Sequence, residues 1–173
     1  MSSNSIFSQS SILVDVRGPA RLGGFGVTLL PPDTPGVEID RFFHGAAPEL
    51  VECERFGLTD TRATKASDVY AFGVLVWEVS GAGAGSRCNS LNGMLRCQTF
   101  AGEVPFSSMT KIAAVVSMWD GCRPARPNHP ELSNRLWGTV RACWKAHPRQ
   151  RTTITQVVAV FEEKVAVHQS KCW

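Results

Sequence analysis

Six cysteines, four histidines and one glycine run are the residues of this 173-residue chain whose types could support chemistry by themselves. Cys53, Cys88, Cys97, Cys122, Cys143 and Cys172 are even in number, but no two stand in CxxC spacing and no signal-like leader precedes them. They read as free thiols in a reducing compartment. His44, His129, His147 and His168 share no spacing with those cysteines that would form a zinc site, so surface or capping roles are expected. Gly81-Ala82-Gly83-Ala84-Gly85 has the look of a dinucleotide loop, yet it follows a helical pattern instead of a strand, and no βαβ unit surrounds it. The sequence therefore predicts neither a metal cluster nor a dinucleotide site from these residues.

The elements that would position any other chemistry follow from periodicity and punctuation. Residues 1–10 are rich in Ser and Asn without period and read as a disordered lead-in. Ile12-Leu13-Val14 and Ala20-Arg21-Leu22 are short apolar runs separated by a Gly18-Pro19 turn signal, which predicts a small β-hairpin. From 27 to 46 the chain carries Pro31-Pro32 and Pro35-Gly36 with no sustained period, so a long surface loop is expected. A helix is predicted over 67–78, with Ser67 as cap and Asp68 in the first turn. The stretch 69–79 is apolar on nearly all faces, which marks that helix as central, and its eleven residues fall well short of the ~20 that span a bilayer.

Three more helices are predicted. Over 110–119, Ile112, Val115, Val116 and Trp119 share one side. Over 131–146, Leu132, Leu136, Val140 and Trp144 recur at i+4, and Pro148 is expected to close the helix. Over 153–167, Thr153 and Gln156 stand in capping-box spacing, and Ile154, Val157, Val158, Phe161 and Val165 are expected to point inward. The fold class is mainly α, with one short hairpin near the N-terminus, a long loop and about four main helices.

Read in order, the chain carries Ser11 to Asp15, Gly24-Phe25-Gly26, Ala47-Pro48-Glu49, the Ser67-Asp68-Val69-Tyr70-Ala71-Phe72-Gly73 helix, Gly102-Glu103-Val104-Pro105-Phe106, and Cys143-Trp144 with Pro148 and Arg151-Thr152. That order and spacing resemble the C-terminal lobe of a protein kinase of the tyrosine-kinase-like and Ser/Thr group, a fold classed α+β when complete. The resemblance implies that Gly24-Phe25-Gly26 stands where the family carries Asp-Phe-Gly, and that the hairpin delivers this loop. It implies that Glu49 pairs with Arg151 to join the end of the activation segment to the last helices. Asp68 would tether the catalytic loop, and Phe25 would pack on that loop's histidine. Trp144 belongs to the same structural signature, and Thr28 and Thr34 fall in the segment that kinases phosphorylate.

The family's intact members use ATP and magnesium, and phosphoryl transfer rests on positioning and charge neutralisation. If Ser11 aligns with the asparagine of the H-R-D-x-x-x-x-N loop, then Asn4, Ser5 and Ile6 fall at the His-Arg-Asp positions. The base position is then Ile6, and the two metal-ligand positions are Ser11 and Gly24. A serine hydroxyl is a poor replacement for the hard oxygen ligands that magnesium prefers. Only ten residues precede Ser11, so the glycine-rich phosphate loop, the strand lysine and the helix glutamate have no counterpart in this sequence. The expectation is a family member without an intact catalytic or metal site and with no cofactor of its own.

A hydrophobic share of 43% and a charged share of 19% suit a soluble globular protein, and a net charge of +3 is too small for a nucleic-acid footprint. An intracellular, cytoplasmic protein is expected, with no membrane or nucleic-acid partner and with a protein partner engaged through the exposed lobe surface. The domain reading is a lead-in over 1–10, a partial kinase-like domain over 11–168 and a tail over 169–173. Within it, residues 79–98 interrupt the resemblance. Removing those 20 residues joins Trp77-Glu78 to Thr99-Phe100-Ala101-Gly102 as an uninterrupted family sequence. Val79-Ser80 can be encoded GTG-AGT and Gln98 CAG, so a translated intron is one reading and a surface insertion, tolerated because loop closure costs grow slowly, the other. Scaffold protein and truncated gene product stand as alternative functions.

Overall fold

The computed structural model describes residues 12–14, 20–22, 45–81 and 111–170. Two short strands, β1 (Ile12–Val14) and β2 (Ala20–Leu22), pair antiparallel with Leu13 opposite Arg21. The Gly18-Pro19 turn, the loop over 27–44 and most of the 79–98 stretch lie outside the described residues. Four helices follow: α1 (Lys65–Gly81), α2 (Lys111–Trp119), α3 (Asn134–Cys143) and α4 (Ile154–Ser170). Short 3-10 turns at Pro48–Leu50, Glu54–Phe56 and Pro148–Gln150 fill the connections. The result is a mainly helical lobe.

α1 is the centre of the lobe because its sequence offers no polar face between Val69 and Leu75. Val69, Tyr70, Ala71, Val74 and Leu75 are all buried. Its start corrects the predicted cap. Thr64 Oγ1 accepts the Ser67 N–H at 3.2 Å, and Ser67 Oγ accepts the Thr64 N–H at 2.8 Å, a reciprocal pair in capping-box spacing. Ser67 is thus the inner member of the box, and Lys65-Ala66, both good helix formers, start the helix two residues earlier. At its other end the helix runs through Gly81, three residues into the stretch read as an insertion.

α3 packs across α1 and supplies Leu136, Val140, Cys143 and, just past its end, Trp144 to the core. Ser133 caps it by accepting the Leu136 N–H at 3.2 Å. The helix stops at Cys143, well before Pro148, which instead opens its own 3-10 turn. The physical reason is Arg151: the chain leaves helical geometry so that the carbonyls of Lys145 and Ala146 can turn toward its guanidinium, each at 2.8 Å.

Gly73 marks the closest approach of α1 and α3. A Cβ built there would lie 2.8 Å from Cys143 Cβ and 3.3 Å from Val140 O. Alanine would gain about 1 kcal/mol of helix propensity, but forcing a methyl against a backbone-fixed Cβ in a close-packed core costs typically 1–3 kcal/mol. Gly73→Ala is therefore expected to destabilise by about 1 kcal/mol, read from urea midpoints. Cys143→Ala should not rescue it, because the opposing Cβ remains, and a net gain in stability would contradict this account.

Two amphipathic expectations fail in part. Thr153 and Gln156 do cap α4, with Gln156 Oε1 accepting the Thr153 N–H at 3.0 Å and Thr153 Oγ1 accepting the Gln156 N–H at 3.3 Å. Val157 is buried, and Phe161 meets Phe72 edge-on with centroids 5.4 Å apart. Ile154, Val158 and Val165, expected inward, are 47%, 44% and 53% exposed. They line an open groove of about 490 Å³ with Phe72 and Phe161. On α2, Val116 is likewise exposed, while Trp119 is half-buried, and the side chains of Ile112 and Val115 lie outside those described. Periodicity reports that a helix has an apolar stripe; it does not report whether a neighbouring element lies against all of it.

Candidate functional site

The best-built polar constellation joins Glu49 to Arg151 across 102 positions of sequence. Glu49 lies in the Pro48–Leu50 turn, whose first position is the proline, where a missing N–H costs nothing. Ala47 before it is fully buried. Arg151 Nη1 and Nη2 donate to Glu49 Oε1 and Oε2, both at 2.6 Å. Nη1 also donates to Ala66 O at 2.9 Å, Nη2 to Ala146 O at 2.8 Å, and Nε to Lys145 O at 2.8 Å. All five guanidinium donors are therefore used. Both side chains are almost wholly buried, at 1% and 2% exposed. Full satisfaction is what makes such burial tolerable, because an ion pair out of water repays its desolvation only with good geometry and no orphan donors.

Tyr70 lies beneath this pair. Its ring faces the Arg151 guanidinium at 4.8 Å and the Arg123 guanidinium at 5.7 Å. Burial raises the phenol's pKa, opposed by the two arginine charges. Its hydroxyl has no hydrogen-bond partner among the described residues. Arg123 reaches it from the loop after α2, where its donors go to the carbonyls of Trp144 (2.9 Å from Nε), Cys122 (2.7 Å) and Met118. Trp144 is buried over the same cluster, in edge-on contact with Trp137 at 5.6 Å between centroids. Arg123 and Tyr70 were not singled out by sequence reasoning. Arg123 sits in an aperiodic loop, and only its Arg-Pro neighbourhood hints at a fixed turn.

Asp68, in the first turn of α1, behaves differently. Its Oδ1 finds no hydrogen-bond partner among the described residues, and burial pushes the carboxyl up to about 6. A carboxylate whose folded pKa exceeds its unfolded value binds more protons when folded, so its contribution to stability falls as pH rises from about 4 to 6 and stays flat above. A two-unit shift corresponds to about 3 kcal/mol, which solvent access to the carboxylate reduces to about 1 kcal/mol. Asp68→Asn is expected to raise stability near pH 7 by about that amount and to flatten the difference between pH 4 and 6.5, measured by urea denaturation across pH. A loss of stability in the variant would show that the charged form has a partner.

No other chemistry gathers among the described residues. Among the described residues, no group of three His, Cys, Asp or Glu side chains could hold a metal ion, and no helix is long and apolar enough to cross a membrane. Cys53, Cys122 and Cys143 are free, and burial pushes the Cys143 thiol up to about 12, which makes it inert as a nucleophile. His147 Nδ1 accepts the Arg149 N–H at 3.2 Å and His129 Nδ1 that of Glu131 at 3.2 Å, both capping contacts. Ile6, Ser11, Gly24, Phe25 and Gly26 lie outside the described residues. The structure thus brings together Ala47, Pro48, Glu49, Trp144 and Arg151, and leaves Asp68 facing no described partner.

Comparison with known proteins follows the same lines. The family described as "Protein tyrosine and serine/threonine kinase" matches residues 46–161. Tyrosine-protein kinase JAK1 of Danio rerio is 27% identical over 159 residues, covering 88% of this chain and 12% of that protein. A probable serine/threonine-protein kinase of Dictyostelium discoideum is 24% identical over 152 residues, 88% of this chain and 9% of that protein. Ephrin type-A receptor 8 of Rattus norvegicus is 28% identical over 163 residues, 90% of this chain and 36% of that protein. The chain therefore spans from about a tenth to about a third of the length of these relatives.

Proposed function

Because this chain belongs to the protein tyrosine and serine/threonine kinase family, we propose that it is a catalytically silent kinase lobe that works as a binding module. What supports the reading is a fully satisfied Arg151–Glu49 anchor together with a glycine, Gly24, where the resemblance puts the metal-binding aspartate. The group implied by the family is magnesium-ATP. The residues at the relevant positions do not fit it: Gly24 has no side-chain oxygen, Ser11 offers only a hydroxyl, and Ile6 cannot accept a proton. No catalytic step is derived through it. A binding module needs none of these groups, only a stable surface, and an intracellular setting suits the free thiols.

Calorimetric titration of the chain with magnesium-ATP is expected to give no heat of binding at micromolar nucleotide, and radiolabel transfer from ATP to a generic protein substrate none above background. Gly24→Asp should not restore either, because Ser11 and Ile6 remain. Magnesium-dependent binding at micromolar affinity, or activity in that variant, would overturn the reading.

The stretch 79–98 favours a second reading, an aberrant gene product retaining an intron. Transcripts that join the Glu78 codon directly to that of Thr99 support it, and transcripts carrying all 20 intervening codons remove it. Insoluble expression without a stoichiometric partner would also favour this second reading.

A further inference from the structure

Between 141 and 151 the chain reads Arg-Ala-Cys-Trp-Lys-Ala-His-Pro-Arg-Gln-Arg, four cations and no acid. Arg151 is buried against Glu49, but Arg141, Lys145 and Arg149 are exposed at the foot of α3. Cations at a helix C-terminus ordinarily serve its unpaired carbonyls and its dipole. Here most of the carbonyls over 140–146 already have partners. Ala142 O accepts the Thr152 N–H at 3.2 Å, Trp144 O accepts Arg123 Nε at 2.9 Å, and Lys145 O and Ala146 O each accept from Arg151 at 2.8 Å. None of these bonds is made by the side chain of Arg141, Lys145 or Arg149.

They also lack an acidic partner, unlike several exposed cations elsewhere in the lobe. Arg55 meets Asp120, Arg62 meets Asp60, Arg135 meets Glu163 and Lys164 meets Glu131, whereas Arg141, Lys145 and Arg149 have no acidic partner among the described residues. The elements packed around them add little negative charge. Lys65, exposed, adjoins Ala66, whose carbonyl rests on Arg151 at 2.9 Å. The Glu54–Phe56 turn touches this region through Phe56 on His147, at 5.9 Å between centroids, and brings Glu52, which Arg55 engages at 3.8 Å, and the exposed Glu54. Glu49 is consumed by Arg151.

We propose that the foot of α3 is a docking surface for an acidic polypeptide segment, recognised through Arg141, Lys145 and Arg149. The cations line neither the groove beside Phe72, Ile154 and Val158 nor that beside Leu75, His129 and Leu132, so they suit a row of carboxylates better than one enclosed small anion. A net charge of only +3 over the chain favours a local protein contact over a nucleic-acid track. Unpaired surface charges of this kind set encounter rate and partner choice more than they set stability. The inference rests on the binding-module reading and names the partner's chemistry.

The test uses the full chain titrated with a fluorescent poly-glutamate peptide at low and high salt. Saturable binding that weakens with salt is expected, and Arg141→Glu/Lys145→Glu/Arg149→Glu should weaken it by about tenfold or more. Lys164→Ala, which removes a cation from α4, should leave binding unchanged. The three side chains make no hydrogen bonds among the described residues, so the variant should melt only slightly below the parent, the loss coming from Arg141 against the dipole of α3. The single variant Lys145→Glu, expected to weaken binding measurably, keeps the test decisive if the triple variant melts early. Absent peptide binding, binding indifferent to these substitutions, or tighter binding to phosphatidylserine vesicles or single-stranded RNA would each overturn the proposal. Magnesium-ATP binding would instead remove the module reading and leave the peptide isotherm as measured.

Discussion

Glu49→Ala is expected to lower the stability of the folded chain by about 3–5 kcal/mol. The deletion does more than remove a contact. It strands a guanidinium whose side chain is 1% exposed with three neutral carbonyls and no counter-charge. Removing one member of a buried pair leaves the other charge uncompensated, which is why single deletions cost far more than the net worth of the pair. A loss of that size is a large part of the 5–15 kcal/mol typical of a domain, and for a chain of this length each kcal/mol lowers the melting midpoint by about 2–4 °C. Arg151→Lys should also be poorly tolerated, because an ammonium cannot serve both carboxylate oxygens and three carbonyls in one plane. The double variant Glu49→Met/Arg151→Met, which buries no charge, is expected to recover much of the loss. Urea denaturation followed by tryptophan fluorescence measures all three. A Glu49→Ala cost under about 1 kcal/mol would mean that water reaches the pair.

Trp144→Ala is expected to cost a similar amount, about 3–5 kcal/mol, through a different mechanism. Trp144 is the largest of the fully buried side chains among the described residues and shares one cluster with Ala47, Tyr70, Val74 and Val140. Truncation removes its apolar burial, the edge-on contact with Trp137 and the volume that separates α1 from α3. The gap cannot close by approach of the helices, because Gly73 already holds them near contact at Cys143. Trp144→Phe should cost clearly less. Equal costs for the two variants would mean that indole volume is not what the site selects. Backbone contacts to Arg123 survive both substitutions, since it is the Trp144 carbonyl that accepts them, so the comparison isolates the side chain.

What could be read from the sequence divides along physical lines. Leu132, Leu136, Val140 and Trp144 were found by spacing alone and are all buried, because α3 has one apolar stripe and α1 covers it. The same reasoning over-assigned α4. Ile154, Val158 and Val165 lie on an apolar face as expected, but the described part of the lobe offers no element to cover them. The start of α1 was missed by two residues because a cap is a matter of which hydroxyl faces which N–H, and spacing does not tell Ser67 from a threonine three positions earlier. Glu49 and Arg151 could be joined only by resemblance to a family, since no local rule links residues 102 apart. The Tyr70–Arg123 contact escaped entirely: an aromatic residue in an apolar helix reads as core, and nothing local says which cations will meet its face.

The placement of Arg151 also bears on the order in which the chain assembles. Its guanidinium gathers carboxylate and carbonyl oxygens from segments 102, 85 and only 5 or 6 residues away. Contacts that close loops of such length carry their entropic cost before they return any energy. The local carbonyls can form with α3, whereas the Glu49 arm, 102 residues away, is expected to close after the main barrier to folding. Interactions that are absent from the transition state slow unfolding and leave the folding rate nearly untouched. The loss in Glu49→Ala should accordingly appear on the unfolding arm of the chevron, making this buried pair a clasp on the lifetime of the folded lobe.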